Sequence, residues 1–474
     1  MKKRIIALVL LIVMLLPVSL ASCNKETDPA EVAINLYTLY TICEDSTTED
    51  AIKQVELALN RITAYQLGIG IKLIMVTEDK YDALVEEKLT EIQAYKEEQE
   101  RKNKEAKENK KKNNSDAASD TASDETSDAP QDVLTADRFI EMLQNGEEYT
   151  FEEPRLDIFL VRGFDKYIDL VGRGKLAELD EKLSSEAKLI KDKIYPTFLS
   201  AAKVTNSSGK QKTYGVPMNT AIGEYEYVVF DEELLDKYEI DAMTMNTLED
   251  LEYYLRIIKE NEPDVVPLAN AFDSTYCTYI FSDGFPAMVK EDGVVVNPYE
   301  DKTALDYYTY ISRYRSLGYL DDSATDKRFA VKFVKGTFED LEALEKQTGR
   351  TYVSAVHSYP VPTNENTLQN LFCINSTVQK DKLTEAAKLL ALIETSSEVA
   401  NILAYGIENE NYQLDNNGQV VRLNDSYVVS SNYIGNAFLI HTMAGENPQK
   451  WEIFKQQNLD SAKGQEQAKS LGFA

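Results

Sequence analysis

Apolar and polar positions alternate along the chain in two distinct rhythms. Residues 32–40 are a short run of apolar and aromatic residues of strand character. Residues 49–66 place Ile52, Val55, Leu59 and Ile62 at intervals of three and four, the stripe of an amphipathic helix. Residues 68–76 repeat the strand pattern, and Tyr81, Val85, Leu89, Ile92 and Tyr95 repeat the helical one. Strand, helix, strand, helix predicts a parallel α/β sheet. The pattern then stops. From 96 to 132 the chain alternates Lys with Glu and then Ser with Asp and Ala, with no large apolar residue to bury, so a disordered insertion is expected. It resumes with a short helix at 135–145, a strand at 155–161 and its loop 162–165, and a helix at 166–172.

Residues 214–238 organise the second half. Pro217 cannot donate to a sheet ladder, so the run ending there should stop or lie on an edge. Residues 218–223 are irregular, and 224–230 alternate as a new strand rich in β-branched and aromatic residues. Asp231 then sits as a helix N-cap, with Glu232 and Glu233 in the first turn. A chain that leaves one sheet, crosses an irregular linker and starts another is expected of a two-lobed α/β protein with a hinge.

The first residues add a location. Met1-Lys-Lys-Arg4 is a basic start and residues 5–16 are apolar but too short for a stable membrane span. Leu20-Ala21-Ser22-Cys23 matches the lipobox of bacterial lipoproteins. Residues 1–22 are therefore expected to be a signal peptide, with Cys23 lipidated and 23–30 a tether. The expected place is the outer face of the cell membrane, held there through the lipid.

Composition removes several alternatives. With 80 Asp and Glu against 51 Lys and Arg, the net charge is −29, which disfavours nucleic acid and anionic lipid as partners of the folded body. His357 and His441 are the only histidines and no Cys/His spacing suits a metal, so no metal or other cofactor is expected. Acidic pairs such as Glu224/Glu226 and Asp321/Asp322 are the material of a glycosidase, but pairs arise by chance in so acidic a chain. No P-loop, dinucleotide fingerprint or GxSxG elbow is present. Cys43, Cys277 and Cys373 form an odd set without CxxC spacing, leaving one disulfide or free buried thiols open.

The order of segments resembles the extracellular solute-binding proteins of bacterial ABC importers, of the maltose-binding-like class. The resemblance is carried by Gly215-Val-Pro217 before the crossing and Tyr227-Val-Val-Phe-Asp-Glu-Glu-Leu-Leu235 after it. Gly174-Lys-Leu-Ala-Glu-Leu-Asp180, Phe333-Val-Lys-Gly336, Tyr359-Pro-Val-Pro362 and Tyr405-Gly-Ile-Glu408 with Tyr412 extend it. It covers about residues 20–95 and 133–474. It implies a periplasmic-binding-protein fold with one lobe from 31–218 plus 337–395 and a second from 219–336 plus 396–474. It also implies a non-enzymatic monomer that captures a small solute, an oligosaccharide, by hinge closure and delivers it to an ABC permease. A surface glycan-capturing or sensory lipoprotein without a transporter is the alternative, and a secreted glycoside hydrolase a further one. The implied ligand contacts are Tyr37 and Tyr40 at the end of the first strand, and Arg162, Phe164 and Asp165 in the loop after the third. Asn219 in the crossing and Tyr276 and Tyr279 in the aromatic segment 270–281 complete them.

Overall fold

The computed structural model describes residues 33–113, 134–206, 208–245, 247–271, 278–281, 285–289, 295–297, 300, 302–323, 327–360 and 362–470. The chain opens with strand β1 (Asn35–Ile42), helix α1 (Glu49–Leu67) and strand β2 (Ile69–Val76). The Thr48 side chain caps α1 by accepting from the Ala51 amide at 3.2 Å, and Gly68 ends it at φ 67°, a left-handed value that suits glycine. Val55, Leu59 and Ile62 on α1 pack with Leu39 of β1 and Ile71 and Leu73 of β2.

Helix α2 spans Glu78–Asn113, so residues 96–113 of the expected disordered insertion are helical. The reason is local. Lys, Glu, Gln and Ala are strong helix formers, and pairs four apart support the helix without a buried face, as Lys102 with Glu98 at 2.7 Å. The rest of the expected insertion, 114–132, lies outside the described residues.

Helix α3 (Ala136–Gln144), strand β3 (Ile158–Arg162), helix α4 (Phe164–Gly172) and strand β4 (Gly215–Pro217) complete the first passage. Beyond the crossing lie β5 (Tyr225–Asp231), α5 (Glu232–Tyr238), α6 (Leu248–Asn261), β6 (Val266–Leu268), α7 (Lys302–Ser316), β7 (Phe329–Gly336), α8 (Phe338–Thr348) and β8 (Tyr352–Ser358). The chain then returns as β9 (Asn370–Ile374), α9 (Asp381–Thr395), α10 (Ser397–Tyr405) and α11 (Lys450–Ser470).

Two principal sheets result. The first has the order β2-β1-β3-β9-β4 and the second β8-β5-β7-β6. β1, β2 and β3 run parallel, β9 lies antiparallel to β3, and β4 is an edge strand, as Pro217 requires. In the second sheet β5 is antiparallel to β7 and β8, and β6 is parallel to β7. Each sheet has its own buried cluster, so the molecule is a two-lobed α/β protein.

The pairing moves the expected return crossing. β8 forms six register pairs with β5, from Tyr352 opposite Asp231 to Ser358 opposite Glu226, so the chain stays with the second sheet past 337 and rejoins the first at Asn370. Residues expected in the second lobe also sit elsewhere: Val399, Leu403, Tyr427 and Ile440 are buried in the same cluster as β1–β3. The cause is that β7, the strand ending at Gly336, leaves the other edge of β5 open, and β8 fills that edge before the chain returns.

Candidate functional site

The registers fix where the two lobes face each other. Pro217 lies opposite Leu371 and Arg162 opposite Asn370, so both crossings meet the first sheet at the carboxyl ends of β1–β3. In the second sheet Gly336 pairs with Tyr225 and Ser358 with Glu226, so both crossings meet it at the carboxyl ends of β6 and β7. A cleft between two such edges is where open α/β sheets bind ligands.

On the first lobe, β3 delivers Arg162 to this edge. Its guanidinium donates to the Glu78 carbonyl at 3.1 Å and pairs with the Glu78 carboxylate at 3.2 Å and Asp82 at 3.8 Å. Gly163 follows at φ 83°, and its amide donates to the Gln369 carbonyl at 2.7 Å, tying the loop to the return crossing. Phe164 packs half-buried against the core and Asp165 is exposed in the first turn of α4. Of the expected contacts, the structure thus brings Arg162, Phe164 and Asp165 together.

Tyr433 joins them, and sequence reasoning missed it. The Thr41 hydroxyl at the end of β1 donates to the Tyr433 carbonyl at 2.6 Å. The phenol is half-buried, and burial first, then the Glu78 carboxylate, push its pKa up while Arg162 opposes the shift. A half-buried aromatic face, a guanidinium and a carboxylate thus share one edge, a combination able to stack on a ring and fix hydroxyls. The signal that could have found Tyr433 is absent from the local pattern, because its partner Thr41 lies 392 positions away.

Tyr37 and Tyr40 are placed differently from the expectation. Tyr37 is fully buried and its hydroxyl donates to Glu385 at 2.7 Å, while Tyr40 donates to the Arg155 carbonyl at 3.0 Å. Burial, then the neighbouring Asp157 carboxylate, raise the Tyr40 phenol to about 12. Both faces of the interior strand β1 are covered, so its side chains serve the core. Asn219 is also buried: its amide group donates to the Lys193 carbonyl at 2.7 Å and to Asn436 at 3.2 Å, fixing the crossing. Tyr279 sits on a strand, Thr278–Phe281, opposite Pro286, whereas Tyr276, Cys277 and Cys23 lie outside the described residues. Cys43 and Cys373 are free buried thiols.

On the second lobe Asn270 extends the edge beyond β6, exchanging hydrogen bonds with the Phe333 carbonyl at 2.9 Å and amide at 2.8 Å. The acidic pairs are engaged locally. Asp322 forms an ion pair with Arg315 at 2.6 Å, Asp321 accepts from Ser323, and Glu226 accepts from Ser358 at 3.3 Å. Among the described residues no three His, Cys, Asp or Glu side chains gather as metal ligands. No described helix is long and apolar enough to cross a membrane.

No family model matches the chain. A carbohydrate ABC transporter substrate-binding protein of Streptococcus pneumoniae serotype 4 is 25% identical over 329 residues, spanning 65% of this chain and 64% of that protein. The match thus covers less than two thirds of that relative's length. In structure the chain is similar to the N-glycan transport solute binding protein of S. pneumoniae, with a TM-score of 0.52, 20% identity, and coverage of 90% of this chain and 84% of that one. An extracellular solute-binding protein from Bifidobacterium longum subsp. infantis aligns with a TM-score of 0.48 and 13% identity, covering 90% and 82%. The fold is that of the two-lobed solute-binding proteins.

Proposed function

We propose that the protein is the extracytoplasmic solute-binding component of an ABC importer, which captures an oligosaccharide between its lobes and delivers it to the permease. The observation that carries this reading is that both crossings leave the same carboxyl edges of the two sheets, so a rotation about 218–223 and 359–369 opens or closes the cleft. The named activity of the similar S. pneumoniae protein supports the carbohydrate class. In this reading the lobes are 33–218 with 370–449, and 225–358. The mature chain is held to the membrane by lipid on Cys23. The ligand stabilises the closed form because only there does it touch both edges, and no chemical step is required of the protein.

Arg162, Tyr433 and Asp165 form the first-lobe wall in this account. Tyr433→Ala and Arg162→Ala are each expected to weaken binding of a cognate oligosaccharide by about tenfold or more, on the order of 1.4 kcal/mol. Tyr433 stacks and Arg162 holds hydroxyls, so the double variant is weaker still. Isothermal titration measures this, with the melting temperature of the free protein as the check on folding. Affinities equal to wild type in both single variants would remove the wall from the site.

A further inference from the structure

Helix α11 is built into both lobes and into the crossing between them. Trp451 lies 6.3 Å, ring to ring, from Phe438 of the first lobe, and Phe454 lies 5.1 Å from Phe338 on α8 of the second. Lys450 forms an ion pair with Glu339 of α8 at 2.9 Å, and the Tyr225 hydroxyl at the start of β5 donates to Asp460 at 2.9 Å. The crossing itself is gripped by its backbone. The Ile222 amide donates to Asn458 at 2.9 Å, Asn458 donates to the Thr220 carbonyl at 2.8 Å, and Gln457 donates to the Gly223 carbonyl at 2.6 Å.

Two polar atoms on this same helix are anomalous. Gln457 Oε1 and the Trp451 indole N–H are buried without a protein partner, on residues only 0% and 9% exposed. Buried polar groups are nearly always paired, with protein or with ordered water, so an orphan on a helix that spans both lobes calls for an explanation. Here both stand where the helix meets moving parts: Gln457 on the crossing, Trp451 between the aromatic contacts of the two lobes.

We propose that α11 is the latch of lobe closure, a helix that shifts against the crossing as the lobes rotate and pairs Gln457 Oε1 and the Trp451 N–H in the other state. The inference rests on the binding reading above and adds the element that sets the balance of open and closed forms. The grip on Thr220–Gly223 means that the crossing cannot rotate without moving α11, and the contact of Lys450 with Glu339 transmits that movement to the second lobe.

Trp451 is the chain's single tryptophan, so its emission reports on α11 alone. The full chain is titrated with maltooligosaccharides and with a mannose-rich N-glycan series, reading tryptophan emission and, separately, heat. Binding is expected to shift the emission maximum. Gln457→Met, which removes both the orphan acceptor and one grip on the crossing, is expected to change the apparent Kd by about tenfold while melting stays near wild type. Heat of binding without any emission change, or a variant that melts lower with unchanged Kd, overturns the latch. A second measurement needs no ligand: small-angle scattering of the free protein, wild type against Gln457→Met/Lys450→Met. A changed radius of gyration supports the latch even where no glycan binds, a result that would remove the carbohydrate reading alone. Identical scattering curves, with both proteins folded, overturn it.

Discussion

Asp231→Ala is expected to cost about 3–5 kcal/mol, the range for removing one partner of a buried ion pair. The carboxylate is 1% exposed and serves two structures at once. One oxygen accepts from the Leu234 amide at 3.2 Å, capping α5, and both receive Arg328, at 2.7 and 2.8 Å. Alanine removes the cap, worth about 1 kcal/mol, and leaves the Arg328 guanidinium, itself only 22% exposed, facing an empty site with Glu233 as its remaining partner. Asp231→Asn keeps an acceptor for the cap and loses the charge, so it should fall between. Urea unfolding of the three proteins gives the order, and a loss under about 1 kcal/mol for alanine would show the pair to be solvated and weak.

The second large effect should be a gain. Glu394 on α9 is fully buried, and neither carboxylate oxygen has a protein partner. It lies beneath Gly435, where an added Cβ would come within 2.9 Å of Oε1. Burial alone pushes its pKa well above the ordinary 4.5, so folding favours the protonated form. For an acid raised on folding, the contribution to stability is complete below the unfolded value and declines as pH rises toward the folded one. The wild type should therefore lose stability from this group above pH 4.5, by up to about 1.4 kcal/mol per pH unit, until the folded value is reached. Glu394→Met, similar in volume and without charge, escapes that loss. Its advantage in melting temperature should grow as the pH is raised above 4.5, and a difference that does not change with pH would mean that the carboxyl finds a partner or water.

Both predictions concern groups whose role depends on distant neighbours, and this marks where sequence reading succeeded and failed. The local grammar was legible. Asp231 caps α5, and Pro217 ends an edge strand. These signals act within four residues. The two-lobed plan was legible for the same reason, since the crossing at 218–223 is marked by its own irregularity between two strands.

What failed depends on contacts between remote segments. Tyr37 and Tyr40 end an early strand and look like ligand platforms, until β3 and β2 flank β1 and helices cover it. The place of β8 is set by its register against Val228 and its neighbours, more than a hundred positions earlier. The 396–440 segment is claimed by the first lobe through Tyr427, which reaches Met75 of β2, and through Tyr433, which accepts from Thr41. Tyr433 reaches the cleft edge by the same long route. The helical reach of α2 departs from the expectation for a local reason, because the helix propensity of Lys, Glu and Ala carries the helix on without a buried face.

The most direct test of the binding account is a thermal-shift titration of the protein with neutral oligosaccharides, monosaccharides, amino acids and peptides. A ligand that binds the folded state alone stabilises it by mass action, about 2.7 kcal/mol at a hundredfold excess over Kd. The account predicts a melting temperature that climbs with the concentration of one oligosaccharide series and is unmoved by amino acids and peptides. A flat response to every oligosaccharide, beside a clear rise with a peptide or amino acid, would contradict it.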